Sequence, residues 1–317
     1  MKKINQQNKI CIYLDQFVVS NFVDETNDLW KEIKKKLEIA HSKNKIYCPL
    51  STQHFLETAK KDFNNAIIHH EYFRKLSDNY QFKNELFLTT QLISSLIRAN
   101  KHTLKTFLNT DKLKKFEEIY NEINEQNKIF NESVNYKTSS QNEFRKVINN
   151  NCDKKTEEQF LNVIKSLEVE NFIKRLEEYL LKKRIIIRPD NYGKHEFPNW
   201  IDQILFQLTY KHKFKETELI QFLNELKTNG FKRIPTLNIR FFLGAYLSVK
   251  NKQENTGDHI DIMRISNCLV SSDIFFTDKK RKFEILELKL DKEYDVKVFS
   301  GTEKDLLEFK FLLENII

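Results

Sequence analysis

Five short apolar runs, set between much longer stretches of helical periodicity, constrain this chain more than any other feature. They are ICIYL at 10–14, KIYCPL at 45–50, RIIIRP at 184–189, DIFFT at 273–277 and VKVFS at 296–300. Four combine β-branched and aromatic residues and RIIIRP carries three isoleucines, each in a length suited to a buried strand. Strands that alternate with helical segments in this way build a parallel sheet. The predicted fold class is therefore α/β, with about five parallel strands flanked by helices.

The helical segments are sustained because breakers are scarce, with 5 Gly and 4 Pro in 317 residues. Helices are predicted at 27–41, after a Ser51 or Thr52 cap, at 258–270, at 279–290 and at the end of the chain. Two or three more fill 190–256, and from about 60 to 182 apolar residues recur at helical spacing with little strand alternation. The tract NESVNYKTSSQNEF at 131–144 reads as a loop. The predicted organisation is a core formed by 1–60 and 184–317, interrupted by an all-α insertion at 61–183.

No apolar run approaches the roughly 20 residues of a membrane span, and MKKINQQNKI lacks the apolar stretch of a signal peptide. Cys11, Cys48, Cys152 and Cys268 are scattered without a C-x-x-C pair, as free thiols of a reducing compartment would be. These features predict a cytoplasmic protein with no membrane partner. A formal charge of +8 and a pI near 9.0 are compatible with nucleic acid as a partner without establishing it.

Carboxylates mark the strand ends. Asp15 closes the first run and Asp278 follows the fourth, and parallel sheets place their sites beyond such carboxyl ends. Glu57 lies two turns into the helix after the second strand, and Asp261 lies in the first turn of the helix before the fourth. Acids brought close together raise one another's pKa values unless a cation intervenes. Mg²⁺ or Mn²⁺ suits an oxygen-only set and activates water for attack at phosphorus. Each acid also has a structural reading. A strand-end Asp is commonly a cap or turn residue, and Glu57 alone reads as a solvated helix residue. Asp258, after Gly257, is a natural N-cap that would place Asp261 at the third helical position.

Taken together, Y-L-D15, C-P-L-S-T-Q-H-F-L-E57 and D261-I-M-R-I-S-N-C-L-V-S-S-D-I-F-F-T277-D278 resemble the PIN domain family of metal-dependent ribonucleases and the wider PIN-like group. The resemblance covers about 1–60 and 184–317. It implies a PIN-like core, metal binding by Asp15, Glu57, Asp261 and Asp278, and Asp258 as a further catalytic acid. It also implies a Mg²⁺- or Mn²⁺-dependent endoribonuclease acting on RNA ahead of DNA, of the kind found in bacterial toxins and phage-defence effectors. Two positions depart from the family pattern. Phe17 stands where many members have a polar residue, and Asp278 directly follows Thr277 instead of lying two positions on, which leaves Asp273 as the alternative fourth acid.

Lys279, Lys280 and Arg281 follow Asp278 and are candidates for holding substrate phosphate, since cations at a helix start oppose the macrodipole and are not explained by helix stability. His54 and His259 lie near the acids in sequence and carry no assigned role. Arg240 is a candidate partner for the acids. The alternative functions are a structure-specific DNA nuclease and a catalytically degenerate nucleic-acid-binding or interaction protein. The insertion is a candidate surface for a regulatory partner or a second copy of the chain.

Overall fold

The computed structural model describes residues 9–111, 115, 117–125, 128, 142, 154–184, 200–250 and 254–317. The elements begin with β1 (Ile10–Leu14), α1 (Gln16–Val23), α2 (Asp28–Ser42), β2 (Ile46–Tyr47), α3 (Thr52–Thr58) and α4 (Phe63–Ser77). Then come β3 (Gln81–Phe82), α5 (Glu85–Ile97), α6 (Leu104–Phe107), β4 (Leu108–Asn109) and the long α7 (Lys154–Lys182). Next are α8 (Trp200–Phe206), a π-helical turn at Gln207–Lys211, α9 (Glu216–Asn229), α10 (Pro235–Lys250) and α11 (Thr256–Cys268). The chain closes with β5 (Ile274–Phe276), α12 (Lys279–Glu287), α13 (Leu290–Glu293), β6 (Lys297–Phe299) and α14 (Glu303–Ile316). Among the described residues no helix is long and apolar enough to cross a membrane.

The residues group into two compact units. One comprises Met1–Asn84, Thr103–Gln126 and Asn267–Ile317, and the other Glu85–His102 and Asn127–Ser266. This partition differs from the boundaries at 60/61 and 183/184 expected from the sequence.

The first unit holds a four-stranded parallel sheet in the order β2-β1-β5-β6. Leu14 pairs with Phe276, and Phe276 with Phe299, so the carboxyl ends of β1, β5 and β6 finish level. Four of the five expected strands are thus observed. The fifth, at 184–189, lies outside the described residues apart from Arg184, which is not in a strand. A separate antiparallel pair, β3 with β4, was not anticipated. Its strands are only two residues long, below the length at which alternation can be read.

Side-chain alternation sends Ile12, Leu14, Ile274, Phe276 and Phe299 into one core with Val18, Phe22, Trp30, Leu37 and Phe309. On the other face Tyr13 stacks on Phe275 at 4.5 Å and on His54 at 5.1 Å. Both faces are covered, which is why the strands read as continuous apolar runs.

Two local outcomes differ from expectation for identifiable reasons. The segment QFVVSNFV, to which the sequence reading assigned no element, forms α1. Its valines are poor helix formers, but Asp15 caps its start and Val18, Val19 and Phe22 are wholly buried, so packing overrides propensity. The run KIYCPL contributes only Ile46 and Tyr47 to the sheet. The Cys48 N–H turns away to the Leu76 carbonyl at 2.9 Å, and Pro49 has no N–H to offer a ladder.

The expected Ser51 cap is present. Ser51 Oγ accepts the His54 N–H at 3.3 Å, while the Ser51 N–H donates to His54 Nδ1 at 3.0 Å. Both side chains are buried, so the reciprocal pair satisfies donors that water cannot reach. Ser51→Ala is expected to lower unfolding stability by about 1 kcal/mol, measured as a reduced urea midpoint with unchanged slope.

The described part of the second unit is helical. Phe172 and Leu176 of α7 pack with Ile204 and Leu205 of α8, Phe222 and Leu226 of α9, and Leu237 of α10. Two of its buried acids, Asp202 and Glu85, are paired with arginines. Arg175 grips Asp202 through two nitrogens, the closer contact being 2.6 Å. Glu85 accepts from Arg240 and from the Ser266 hydroxyl at 2.5 Å. Burial pushes the Glu85 carboxyl up, with the Arg240 guanidinium and the Ser266 hydroxyl opposing it. Arg240 thus serves an acid outside the predicted set.

Candidate active site

Asp15 and Asp278 stand at the ends of adjacent parallel strands. The ladder continues one step past β1, with the Asp15 N–H donating to the Phe276 carbonyl at 3.0 Å. Across the neighbouring pair the Thr277 N–H donates to the Phe299 carbonyl at 3.0 Å. Asp15 is buried and caps α1, its Oδ1 taking the Gln16 N–H at 2.6 Å. Its Oδ2 takes the Thr277 hydroxyl at 3.2 Å. Asp278 caps α12, with Oδ1 accepting the Arg281 N–H at 3.0 Å. The cap reading and the strand-end reading therefore hold together at both positions, since an N-cap directly after a parallel strand occupies the carboxyl edge.

Glu57 is half-buried near the end of α3. The residue after it, Thr58, donates its hydroxyl to Gln16 Oε1 at 3.1 Å, tying α3 to the first residue of α1. Asp258 and Asp261 belong to the second unit, in the first turns of α11. Asp258 is not the N-cap. Asn255 takes that role, its Oδ1 accepting the Asp258 N–H at 3.1 Å, and Asp258 Oδ2 accepts the Asn255 N–H at 2.9 Å. The capping arrangement expected at 258 and 261 thus sits three residues earlier, and Asp261 instead pairs with Arg264. His259 lies 3.3 Å from Glu254.

Asp273 lies at the opposite edge of the sheet from Asp278. Its Oδ2 accepts the Cys11 N–H at 2.8 Å, and its own N–H donates to the Cys11 carbonyl at 2.9 Å. It sets the register of β1 against β5 at their amino ends.

The three cations after Asp278 are not equivalent. Lys279 and Lys280 are exposed on the first turn of α12. Arg281, the third candidate for holding phosphate, is buried and pairs with buried Glu284 at 2.5 Å.

Sequence reading missed an acid at the third strand end. Beyond β6, Asp305 Oδ2 accepts both the N–H and the hydroxyl of Ser300, at 2.7 and 2.5 Å. Lys282, whose N–H donates to the Asp278 carbonyl at 2.9 Å, places its ammonium 2.7 and 2.8 Å from the Asp305 oxygens. The legible signal was Thr302-x-x-Asp305 after VKVFS, a cap followed by an acid in the first turn. Burial pushes the Asp305 carboxyl up, while Lys282 and Ser300 together outweigh that and hold it below the usual range.

Because the folded value lies below the ordinary one near 3.8, Asp305 contributes stability above that pH. The contribution is lost as pH falls through the folded value. Urea unfolding on acidification is expected to show a shallower loss of stability for Asp305→Asn than for the wild type.

Among the described residues no group of three or more His, Cys, Asp or Glu side chains is placed to hold a metal ion. The pair at the strand ends is nonetheless of the right chemistry for Mg²⁺ or Mn²⁺, which are commonly bound through one or two carboxylates together with waters and substrate phosphates. Cys11, Cys48 and Cys268 are buried thiols outside any disulfide, and burial pushes the Cys48 thiol up, so it is not a reactive thiolate. Comparison with protein-family models, with curated proteins and with solved structures finds no match.

Proposed function

We propose that this chain is a divalent-metal-dependent nuclease that hydrolyses phosphodiester bonds in RNA. The observation that carries the proposal is the placement of Asp15 and Asp278 at the carboxyl ends of adjacent parallel strands, with the Thr277 hydroxyl on Asp15. Asp15 and Asp278 are the residues that would hold the ion, with Glu57 the further acid of the same unit. When bound, Mg²⁺ or Mn²⁺ neutralises charge at the phosphate and makes its water a better nucleophile.

The remaining contributions come from the chain. Asp15 is fixed by two hydrogen bonds to its own unit, so its orientation is set before any ligand arrives. The exposed Lys279 and Lys280 put positive charge one turn from Asp278, where a phosphate backbone would be attracted. Phosphate attraction is common to RNA and DNA, so the preference for RNA rests on the resemblance to PIN-like proteins alone.

The test is cleavage of single-stranded RNA and single-stranded DNA by the purified chain, with Mg²⁺, with Mn²⁺ and with a chelator. RNA cleavage that requires the metal and is lost in Asp278→Asn supports the proposal. Cleavage that persists in chelator would contradict metal dependence, and a wild-type rate in Asp278→Asn would mean that Asp278 is a helix cap and nothing more. Preference for the DNA strand would support the structure-specific DNA nuclease instead.

A further inference from the structure

The end of α8 presents an aromatic ring to solvent in an unusual backbone setting. The helix runs on from Phe206 into the π-helical turn Gln207–Lys211, and the His212 N–H reaches back five residues to the Gln207 carbonyl at 3.0 Å. Leu208 is wholly buried and anchors the turn, whereas Tyr210 is 60% exposed. The tyrosine ring is held in place by stacking on Phe206, at 4.6 Å with 29° between the planes. Phe206 covers one aromatic face, and the exposure leaves the other open. An isolated exposed aromatic needs no explanation. Turns of the π type are rare, however, and recur at functional sites.

The chain that follows is basic. In TYKHKFK, 209–215, Lys211, Lys213 and Lys215 are all exposed. The acids closest in sequence are already engaged. Glu216 pairs with Lys183 at 2.7 Å, Glu218 with Arg98 at 2.6 Å, and buried Asp202 with Arg175. Among the described residues none of the three lysines is in an ion pair, and Lys211 lies instead 4.1 Å over the Phe87 ring. The backbone that carries them is fixed. Arg98 donates to the His212 carbonyl at 2.9 Å and lies 4.8 Å over the Phe214 ring, and the Phe214 N–H donates to the Leu208 carbonyl at 2.9 Å.

We propose that Tyr210 and these lysines form a platform for single-stranded nucleic acid on the second unit. An unpaired base stacks on the open face of Tyr210, and the phosphates flanking it meet Lys211, Lys213 and Lys215. Every base has a π-face, so such stacking does not read sequence, and the lysine charges supply the attraction to the backbone. A duplex offers no unstacked base to the ring, so unpaired strands are the ligand. The platform stands on observations separate from those at Asp15 and Asp278, and binding there requires no metal.

The experiment is fluorescence anisotropy with fluorescein-labelled single-stranded RNA, single-stranded DNA and a duplex, in chelator so that metal-dependent cleavage does not intervene. It compares the full chain as wild type, Tyr210→Ala, Tyr210→Phe and a triple variant with Lys211→Gln, Lys213→Gln and Lys215→Gln. Tyr210→Ala is expected to raise Kd for both unpaired strands about tenfold, and Tyr210→Phe to stay within about twofold of wild type. The triple variant is expected to make the slope of log Kd against log salt shallower by about two. Duplex binding is expected to respond to the lysines and not to Tyr210. Thermal midpoints are expected to match, since the substituted side chains are exposed.

An unchanged Kd in Tyr210→Ala overturns the platform, as does an equal loss on the duplex or no binding of either unpaired strand by the wild type. A loss in Tyr210→Phe as large as in Tyr210→Ala overturns stacking as the contact. Cleavage assayed separately in Mg²⁺ keeps the two readings apart. Binding that depends on Tyr210 without cleavage leaves the platform and removes the nuclease, whereas cleavage with a Kd indifferent to Tyr210 does the reverse.

Discussion

Replacing Asp15 by Asn is expected to slow metal-dependent RNA cleavage by about 100-fold or more while leaving the protein folded. The two halves of this expectation have separate physical sources. Asn is as good an N-cap as Asp, and its Oδ1 can still take the Gln16 N–H that Asp15 accepts at 2.6 Å. Its Nδ2 replaces Oδ2 opposite Thr277, and a hydroxyl rotates to accept where it formerly donated. What disappears is one unit of negative charge at the strand end. Metal-assisted hydrolysis depends on that charge for several kcal/mol of transition-state stabilisation, and each 1.36 kcal/mol is a factor of ten in rate. Asp15→Ala would combine the same loss with about 1 kcal/mol of lost capping. Initial rates together with circular-dichroism melting separate the two. A wild-type rate in Asp15→Asn would remove Asp15 from the site.

Truncating Phe276 to Ala is expected to cost about 3–5 kcal/mol of unfolding stability, the range for a large aromatic removed from a core. β5 lies between β1 and β6, and Phe276 on it is fully buried. Its ring meets Phe309 at 5.2 Å, Trp30 at 6.0 Å, Phe17 at 6.1 Å and Phe299 at 6.2 Å. Those partners come from α14, α2, α1 and β6, so the cavity would open where four elements converge. Phe276→Leu keeps most of the volume and is expected to cost well under half as much. Urea unfolding measures both, and a loss below about 1 kcal/mol for Phe276→Ala would show that the core closes around the gap. A protein of typical marginal stability loses much of its margin at the expected cost.

The same cluster explains one departure from the PIN-like pattern. Phe17 packs edge-on against Trp30 and Phe276, and its ring lies 3.1 Å from where a Cβ on Gly301 would stand. The position that is polar in many PIN-like proteins is here taken by a partly buried ring packed against the core.

What was legible in the sequence follows the strength of the physical signal. ICIYL and DIFFT could be read as strands because burial on both faces leaves a continuous apolar run, and Asp15 and Asp278 as strand-end acids because chain order alone sets them there. α1 was not legible, since its valines argue against a helix and only the tertiary core overrides them. The cap register at α11 was misplaced because Asn255 and Asp258 are both good capping residues, and the choice between them depends on where the backbone turns. Arg281 and Lys280 look alike in sequence. The structure buries one against Glu284 and exposes the other, a difference of helix phase. Asp273 and Asp278 flank the same strand, so chain order itself sets them at opposite edges of the sheet.

Calorimetric titration of the purified chain with Mn²⁺ tests most directly whether the strand-end acids form a metal site. Wild type is expected to give a saturable isotherm, and the variant carrying both Asp15→Asn and Asp278→Asn, with each cap preserved, is expected to give none. Superimposable isotherms for the two proteins, or no binding by wild type, would contradict a metal site at the ends of β1 and β5.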